Sequence, residues 1–270
     1  MPGPVSRGRF VWYDLMTPDP DAAADFYSKV AGWGSMPWDG GETPDGGPYM
    51  MWTAGEKAIG GRAKLPEEAI AQGAPPHWLA YVTVPDAEAV AERTEAAGGE
   101  VLMAATAMEG VGTFAVLRDP QGAVFCPFTP ADGPGGEVEA AEVGQFSWHE
   151  LYTTDQAAAF AFYAEVFGWE KTSSMDMGEN GIYQMFGPEA GGEFSYGGMM
   201  NKPAEMPGPP HWLYYIKVPE IEVAASTVKE LGGQVFMGPL EVPGGDMVAM
   251  CMDPQGAAFA VHADGTGGGG

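Results

Sequence analysis

The chain repeats itself, and the repeat limits the folds open to it more than any other feature. The stretch GRFVWYDLMTPDPDAAADFYSKVAGWG, from Gly8 to Gly34, recurs as GQFSWHELYTTDQAAAFAFYAEVFGWE, from Gly144 to Glu170. Trp12 matches Trp148, Phe26-Tyr27 matches Phe162-Tyr163 and Gly32-Trp33 matches Gly168-Trp169, each at an offset of 136 residues. Pro75-Pro76-His77-Trp78-Leu79 matches Pro209-Pro210-His211-Trp212-Leu213 at an offset of 134. Gly98-Gly99 with Gly232-Gly233, and Asp119-Pro120-Gln121-Gly122 with Asp253-Pro254-Gln255-Gly256, share that second offset. The chain is a tandem duplication, so whatever one copy builds the other builds again.

Each copy opens with the same local grammar. Phe146 to Thr153 reads as a strand, with Trp148, Glu150 and Tyr152 on one face and His149, Leu151 and Thr153 on the other. Asp155 is placed to cap a helix, because its carboxylate can accept from the first unpaired N–H groups. Ala159, Phe162, Tyr163, Val166 and Phe167 follow at helical spacing, and Gly168 supplies the left-handed residue that ends a helix. In the first copy Pro20 takes the first helical position, where its missing N–H costs nothing. The stretch PHWLAYVTVPDAEAVAERTEAAGGEV, from Pro76, has the same order of strand, Pro-Asp, helix and glycine. Each copy is therefore itself doubled, giving four strand–helix–strands modules.

Along the first copy, residues 1–8 read as frayed, Gly34 to Tyr49 as a Gly/Pro-rich loop carrying Trp38, and Pro66 to Pro76 as a second loop. Short strands are expected at Met50–Thr53, Ala58–Lys64, Trp78–Val84 and Val101–Ala104. Thr113–Arg118 and Ala123–Thr129 read as a hairpin about the Asp-Pro-Gln-Gly turn. Residues 131–143 lack large apolar side chains apart from valine and read as a linker. The expected division is a first domain at 1–130, a second at 144–264 and a disordered tail at 265–270.

A net charge of −25 argues against nucleic acid and anionic membrane surfaces as partners. No apolar run reaches the roughly 20 residues that span a bilayer, and MPGPVSRGRF has no apolar leader core, which points to a cytoplasmic location. Cys126 and Cys251 occupy different places in the two copies, so both are expected as thiols. The expected partner is a small molecule, and the chain a monomer or homodimer.

Four such modules, with Phe-Tyr in the helix, a Gly-Trp stop and an Asp-Pro-x-Gly hairpin, resemble the vicinal oxygen chelate superfamily. That group includes glyoxalase I, extradiol dioxygenases and the fosfomycin- and bleomycin-resistance proteins. The resemblance implies an α+β fold: a tandem repeat of paired βαβββ modules, forming curved mixed sheets that enclose small-molecule cavities. It also implies where a metal would sit in members that use one. Those positions hold Trp12, Leu79 and Cys126 in one copy and Trp148, Leu213 and Ala260 in the other, with glycines at Gly60-Gly61 and Gly197-Gly198 where a further carboxylate belongs. Tryptophan, leucine, alanine and glycine are not ligands for a divalent ion. Neither a metal nor any other cofactor is expected at these positions.

The same correspondence turns Trp12, Asp14, Met16, Leu79 and Tyr81 towards one cavity and Trp148, Glu150, Tyr152, Leu213 and Tyr215 towards the other. Asp14 and Glu150 are the expected bases, with Tyr81 and Tyr215 as hydroxyl donors to an oxyanion. Trp12, Trp148, Tyr152, His77, His211, His262 and Cys126 are expected to line the ligand. His149 has the opposite parity and is expected in the core. Two functions stand side by side. One is a metal-independent lyase, isomerase or ring-opening enzyme acting on a small, partly aromatic metabolite. The other is a protein that sequesters an aromatic, drug-like compound, since indoles and carboxylates together favour cations. A displaced metal site made of Glu150, His211 and His262 is a third reading.

Overall fold

The computed structural model describes residues 7–42, 48–71, 73–132, 140–206 and 208–265. The first copy runs β1 (Phe10–Thr17), α1 (Pro20–Val30), β2 (Gly34–Glu42), β3 (Pro48–Ala54), β4 (Lys57–Lys64), α2 (Glu67–Ala71), β5 (His77–Thr83), α3 (Ala87–Ala96), β6 (Glu100–Met108), β7 (Gly112–Arg118) and β8 (Val124–Pro130). The second runs β9 (Phe146–Thr153), α4 (Gln156–Phe167), β10 (Glu170–Asp176), β11 (Ile182–Gly187), β12 (Gly197–Asn201), β13 (His211–Lys217), α5 (Ile221–Glu230), β14 (Gln234–Glu241), β15 (Met247–Met252) and β16 (Ala258–Ala263). The strands form two open mixed sheets, ordered β2-β3-β4-β1-β5-β8-β7-β6 and β10-β11-β12-β9-β13-β16-β15-β14. In every module the first strand pairs in parallel with the last and the others pair antiparallel, which is the βαβββ arrangement.

The helix signals act as expected. Asp19, Asp86 and Asp155 each accept a backbone N–H of the first turn, and Gly168 ends α4 at a φ of 71°. Three expectations change. The Gly34 to Tyr49 stretch contains β2, because its backbone pairs with β3 despite the Gly and Pro content. The loop after Leu65 contains the short helix α2. Arg7 and Gly8 are held rather than frayed: Arg7 donates to the Val166 carbonyl and the Gly8 N–H donates to the Thr83 carbonyl. Residues 1–6 and most of the tail lie outside the described residues. Burial along β9 also fails to alternate, since every residue from His149 to Thr153 is buried. β9 is a central strand between β12 and β13, and its residues are covered on both faces.

The sheets follow the two sequence copies, but packing groups the modules across them. One compact unit comprises Met1–Val11, Leu79–Val138 and His149–Trp212; the other comprises Trp12–Trp78, Glu139–Trp148 and Leu213–Gly270. The repeated motifs are what join modules of different copies inside each unit. In the second unit Tyr27 donates to Asp253 at 3.2 Å and accepts from Trp78 Nε1 at 3.0 Å. In the first, Tyr163 donates to Asp119 at 3.0 Å and accepts from Trp212 Nε1 at 3.2 Å. Gln255 accepts from Thr17 and the Asp19 N–H, as Gln121 does from Thr153 and the Asp155 N–H. Trp33 donates to the Gly144 carbonyl and Trp169 to that of Gly8. Each contact maps onto its counterpart through the repeat. Phe-Tyr, Gly-Trp and Asp-Pro-Gln-Gly are thus the fasteners of an interlocked fold.

The helix-facing sides of the sheets are aromatic. Tyr13 stacks on Phe146 at 3.8 Å and, at the equivalent positions, Phe10 stacks on His149 at 3.6 Å. His149 is the core residue expected: its Nδ1 faces the Tyr196 carbonyl at 2.6 Å, and burial pushes its pKa down to about 3.

Candidate functional site

The strands β1 and β9 carry the two carboxylates, and their parallel partners fix what lies beside them. Asp14 is in register with Gly61 of β4, and Glu150 with Gly198 of β12. A Cβ at Gly61 would stand 1.9 Å from the hydroxyl of Tyr49, and one at Gly198 would stand 2.1 Å from Cζ of Tyr183. Glycine is therefore required there because a phenol from the next strand lies across it. Tyr49 and Tyr183 are equivalent in the repeat. Both copies thus put a tyrosine beside the carboxylate where metal-using members of the resembled superfamily would place a ligand.

In the unit that holds Asp14, a closed network results. Tyr49 Oη donates to Asp14 Oδ1 at 2.5 Å, and Trp12 Nε1 lies 2.8 Å from Tyr49 Oη and 3.1 Å from Asp14 Oδ1. Burial first, then the Asp14 charge and their hydrogen bond, push the Tyr49 phenol well above its ordinary range, so it stays a donor. Trp148, Tyr215 and His262 belong to this unit as well. Tyr215 is buried in register with Ala260.

In the unit that holds Glu150, the carboxylate is 5 % exposed and Tyr152 donates to its Oε2 at 2.9 Å. The Tyr152 ring lies 5.5 Å from that of His211. His211 Nδ1 lies 2.9 Å from the Pro209 carbonyl and, in the unit that holds Asp14, His77 Nδ1 lies 2.8 Å from that of Pro75. Each carbonyl fixes the proton on Nδ1, and burial lowers both imidazole pKa values. Tyr81 is in register with Cys126 and packs edge-on against Phe114 and Phe128. Cys126 is fully buried, which suits a small core residue better than a nucleophile. Burial likewise raises the Cys251 thiol to about 12.

Of the displaced metal set, Glu150 and His211 belong to one compact unit and His262 to the other. His262 faces Ser147 through Nδ1 and Asp246 through Nε2. Among the described residues, the group close enough to share an ion is Asp246, His262 and Asp264, without Glu150 or His211. Asp264 already holds Lys217 at 2.7 Å. The positions that the resemblance implies for a metal do not make a set of ligands: Leu79, Leu213 and Ala260 are buried apolar side chains, the Trp12 indole is a donor within the Asp14 network, and the buried Cys126 is the one ligand-type side chain in the first copy's set. The residues that sequence reasoning missed are Tyr49, Tyr183, Ser147 and Asp246. The repeat held the signal for the first two, since each tyrosine recurs together with a Gly-Gly pair.

A paired-module fold with these strand positions defines the class. Residues 145–261 match the Glyoxalase/Bleomycin resistance protein/Dioxygenase superfamily and residues 11–128 match the Glyoxalase-like domain family. The chain belongs to the glyoxalase/bleomycin resistance/dioxygenase superfamily, in its tandem two-domain form. It is 35% identical over 252 residues to CFP32 of Mycobacterium tuberculosis (strain CDC 1551 / Oshkosh), a protein named as a glyoxylase, covering 93% of this chain and 92% of the relative. It is 30% identical over 264 residues to the anthracycline biosynthesis protein DnrV of Streptomyces peucetius, covering 94% and 92%. Among solved structures, the Mn(II)-bound glyoxalase from Novosphingobium aromaticivorans aligns with a TM-score of 0.58 at 19% identity, covering 97% of this chain and 83% of that one. The halotolerant catechol dioxygenase BphC aligns at 0.63 and 13% identity, covering 96% and 87%. Those two likenesses concern the fold. No helix among the described residues is long and apolar enough to cross a membrane.

Proposed function

We propose that the chain transforms a small, partly aromatic metabolite by metal-independent proton transfer, in a lyase, isomerase or ring-opening reaction, with Glu150 as base. The observation that carries this reading is the buried Glu150 carboxylate with the Tyr152 hydroxyl 2.9 Å away. A carboxylate removes a proton from carbon next to a carbonyl, and a phenol beside it donates to the oxygen on which charge develops. Tyr183, lying over Gly198 in register with Glu150, is the second phenol for that role. Asp14, whose Oδ1 accepts from Tyr49 and Trp12, is the second candidate base. The name of DnrV makes an anthracycline a rational probe.

The test uses the full chain and its Glu150→Gln variant with an anthracycline. Tryptophan fluorescence follows binding and mass spectrometry follows conversion. Conversion should fall by about 10²–10⁴-fold in the variant, with binding kept within a few-fold. A second reading, sequestration without turnover, is favoured by the closed Trp12–Tyr49–Asp14 network, which resembles a fixed recognition surface more than a reacting one. Tight binding of the probe, recovered unchanged from wild type, would establish that reading and remove the first for this compound class.

A further inference from the structure

Ser147, His262 and Asp246 lie in one compact unit and are joined in sequence by hydrogen bonds. Ser147 Oγ is 2.9 Å from His262 Nδ1, and His262 Nε2 is 3.2 Å from Asp246 Oδ2. The same hydroxyl lies 3.3 Å from the Tyr215 carbonyl, a longer contact. Asp246 is itself fixed, its Oδ1 accepting the Gly265 N–H at 3.0 Å. Burial works against its charge, but the Gly265 N–H, His262 and Lys217 outweigh burial and hold its carboxyl below the usual range. An ionised carboxylate at Nε2 sets the imidazole tautomer and leaves the Nδ1 lone pair for the serine hydroxyl. A hydroxyl within reach of a base that a third group orients is the arrangement of an activated nucleophile. Lys217, in register with His262 on the neighbouring strand, pairs with Asp264 at 2.7 Å.

The repeat shows that the scaffold does not need these groups. Ser147 corresponds to Val11, His262 to Phe128 and Asp246 to Gly112, so the first copy builds the same strands with no polar side chain at any of the three. The relay belongs to the second copy alone.

We propose that Ser147, His262 and Asp246 form an acyl-transfer site for small esters, separate from the Glu150 chemistry. Ser147 Oγ bonds to the ester carbonyl carbon while its proton passes to His262 Nδ1 and the carbonyl π pair moves onto oxygen. Collapse re-forms the carbonyl and breaks the bond to the leaving oxygen, which takes the proton from His262. Water repeats the two steps on the acyl-serine, releasing the acid and restoring the hydroxyl. Asp246 acts through His262 and is a positioning residue.

The test treats the folded full chain with a fluorophosphonate and maps the label by mass spectrometry, with p-nitrophenyl acetate hydrolysis as the rate assay. Ser147 should be labelled in the folded chain and not after denaturation. Ser147→Val should abolish the label. His262→Phe should slow labelling by about 10²–10⁴-fold with the melting temperature retained, since both substitutions install the residue of the first copy. Asp246→Asn should slow hydrolysis and alter its pH profile. A Ser147 no more reactive than in unfolded chain, or labelled equally in His262→Phe, overturns the proposal. So would an inert Ser147 in a chain that binds Zn²⁺ and loses that binding in Asp264→Asn, which would make the cluster a metal site. Labelling reads Ser147 alone and therefore stands apart from the Glu150 reading.

Discussion

Acidification should unfold this protein partly through one residue, His149. Its ring is 6 % exposed, stacks on Phe10 with an interplanar angle of 7°, and faces the Tyr196 carbonyl through Nδ1. Burial holds its pKa at about 3, against roughly 6.5 in an unfolded chain. The unfolded chain therefore takes up the proton first. The stabilisation from neutral His149 is complete above about pH 6.5 and is lost as the pH falls towards about 3. A gap of roughly 3.5 pH units corresponds to about 5 kcal/mol in all, and the part lost by pH 5 is about 2 kcal/mol. His77 and His211, whose pKa values are also lowered by burial, act in the same direction, so the informative quantity is a difference from a variant. His149→Phe keeps a ring on Phe10 but leaves the Tyr196 carbonyl without its donor, a cost of about 1–3 kcal/mol at pH 8. Urea denaturation at pH 8 and pH 5 should show wild type losing about 2 kcal/mol more than the variant on acidification. Parallel losses in the two proteins would refute the reasoning.

Other outcomes follow from the same contacts. Tyr163→Phe removes the hydroxyl shared by Asp119 and Trp212 and should cost about 1–3 kcal/mol in denaturant melts, as should Tyr27→Phe; an unchanged midpoint would mean that these fasteners are ornamental. Gly198→Ala should displace the Tyr183 ring, seen as a shift in its NMR aromatic resonances and a loss of about 1–3 kcal/mol; unmoved resonances and an unchanged midpoint would mean that the ring does not need the glycine. We propose that residues 131–143 are the first protease-sensitive segment, as the sequence suggests. The two fragments should still co-elute on size exclusion under native conditions, because each compact unit takes modules from both copies. Separate elution of two folded halves would contradict the interlock.

Much of this architecture was legible because the signals are local and repeated. Asp155 and Gly168 mark the ends of α4 by cap chemistry that needs no tertiary information. The strand β2 was not legible, since its pairing with β3 comes from the neighbour and not from the propensity of a Gly/Pro-rich stretch. The grouping of modules into units was also hidden: the offsets show that Phe-Tyr and Asp-Pro-Gln-Gly recur, but not that Tyr27 reaches Asp253 rather than Asp119. Near the carboxylates the sequence located Asp14 and Glu150 by parity along one strand. It did not locate Tyr49, because a cross-strand phenol depends on register, and its sign in sequence is a missing side chain at Gly61. His262 was legible as an inward position, but its partners Ser147 and Asp246 come from other strands and became visible only when β9, β13, β16 and the turn before β15 were placed.

Elemental analysis of the untagged full chain, before and after EDTA, tests the replacement of metal chemistry by carboxylate and phenol most directly. Because Trp12, Leu79 and Cys126 in one copy and Trp148, Leu213 and Ala260 in the other stand where a set of ligands would be required, manganese, iron, nickel and zinc should each be far below one per chain. Anthracycline binding and conversion should be unchanged by the chelator. One equivalent of a transition metal per chain, removed by EDTA together with conversion and restored by adding it back, would contradict the reading.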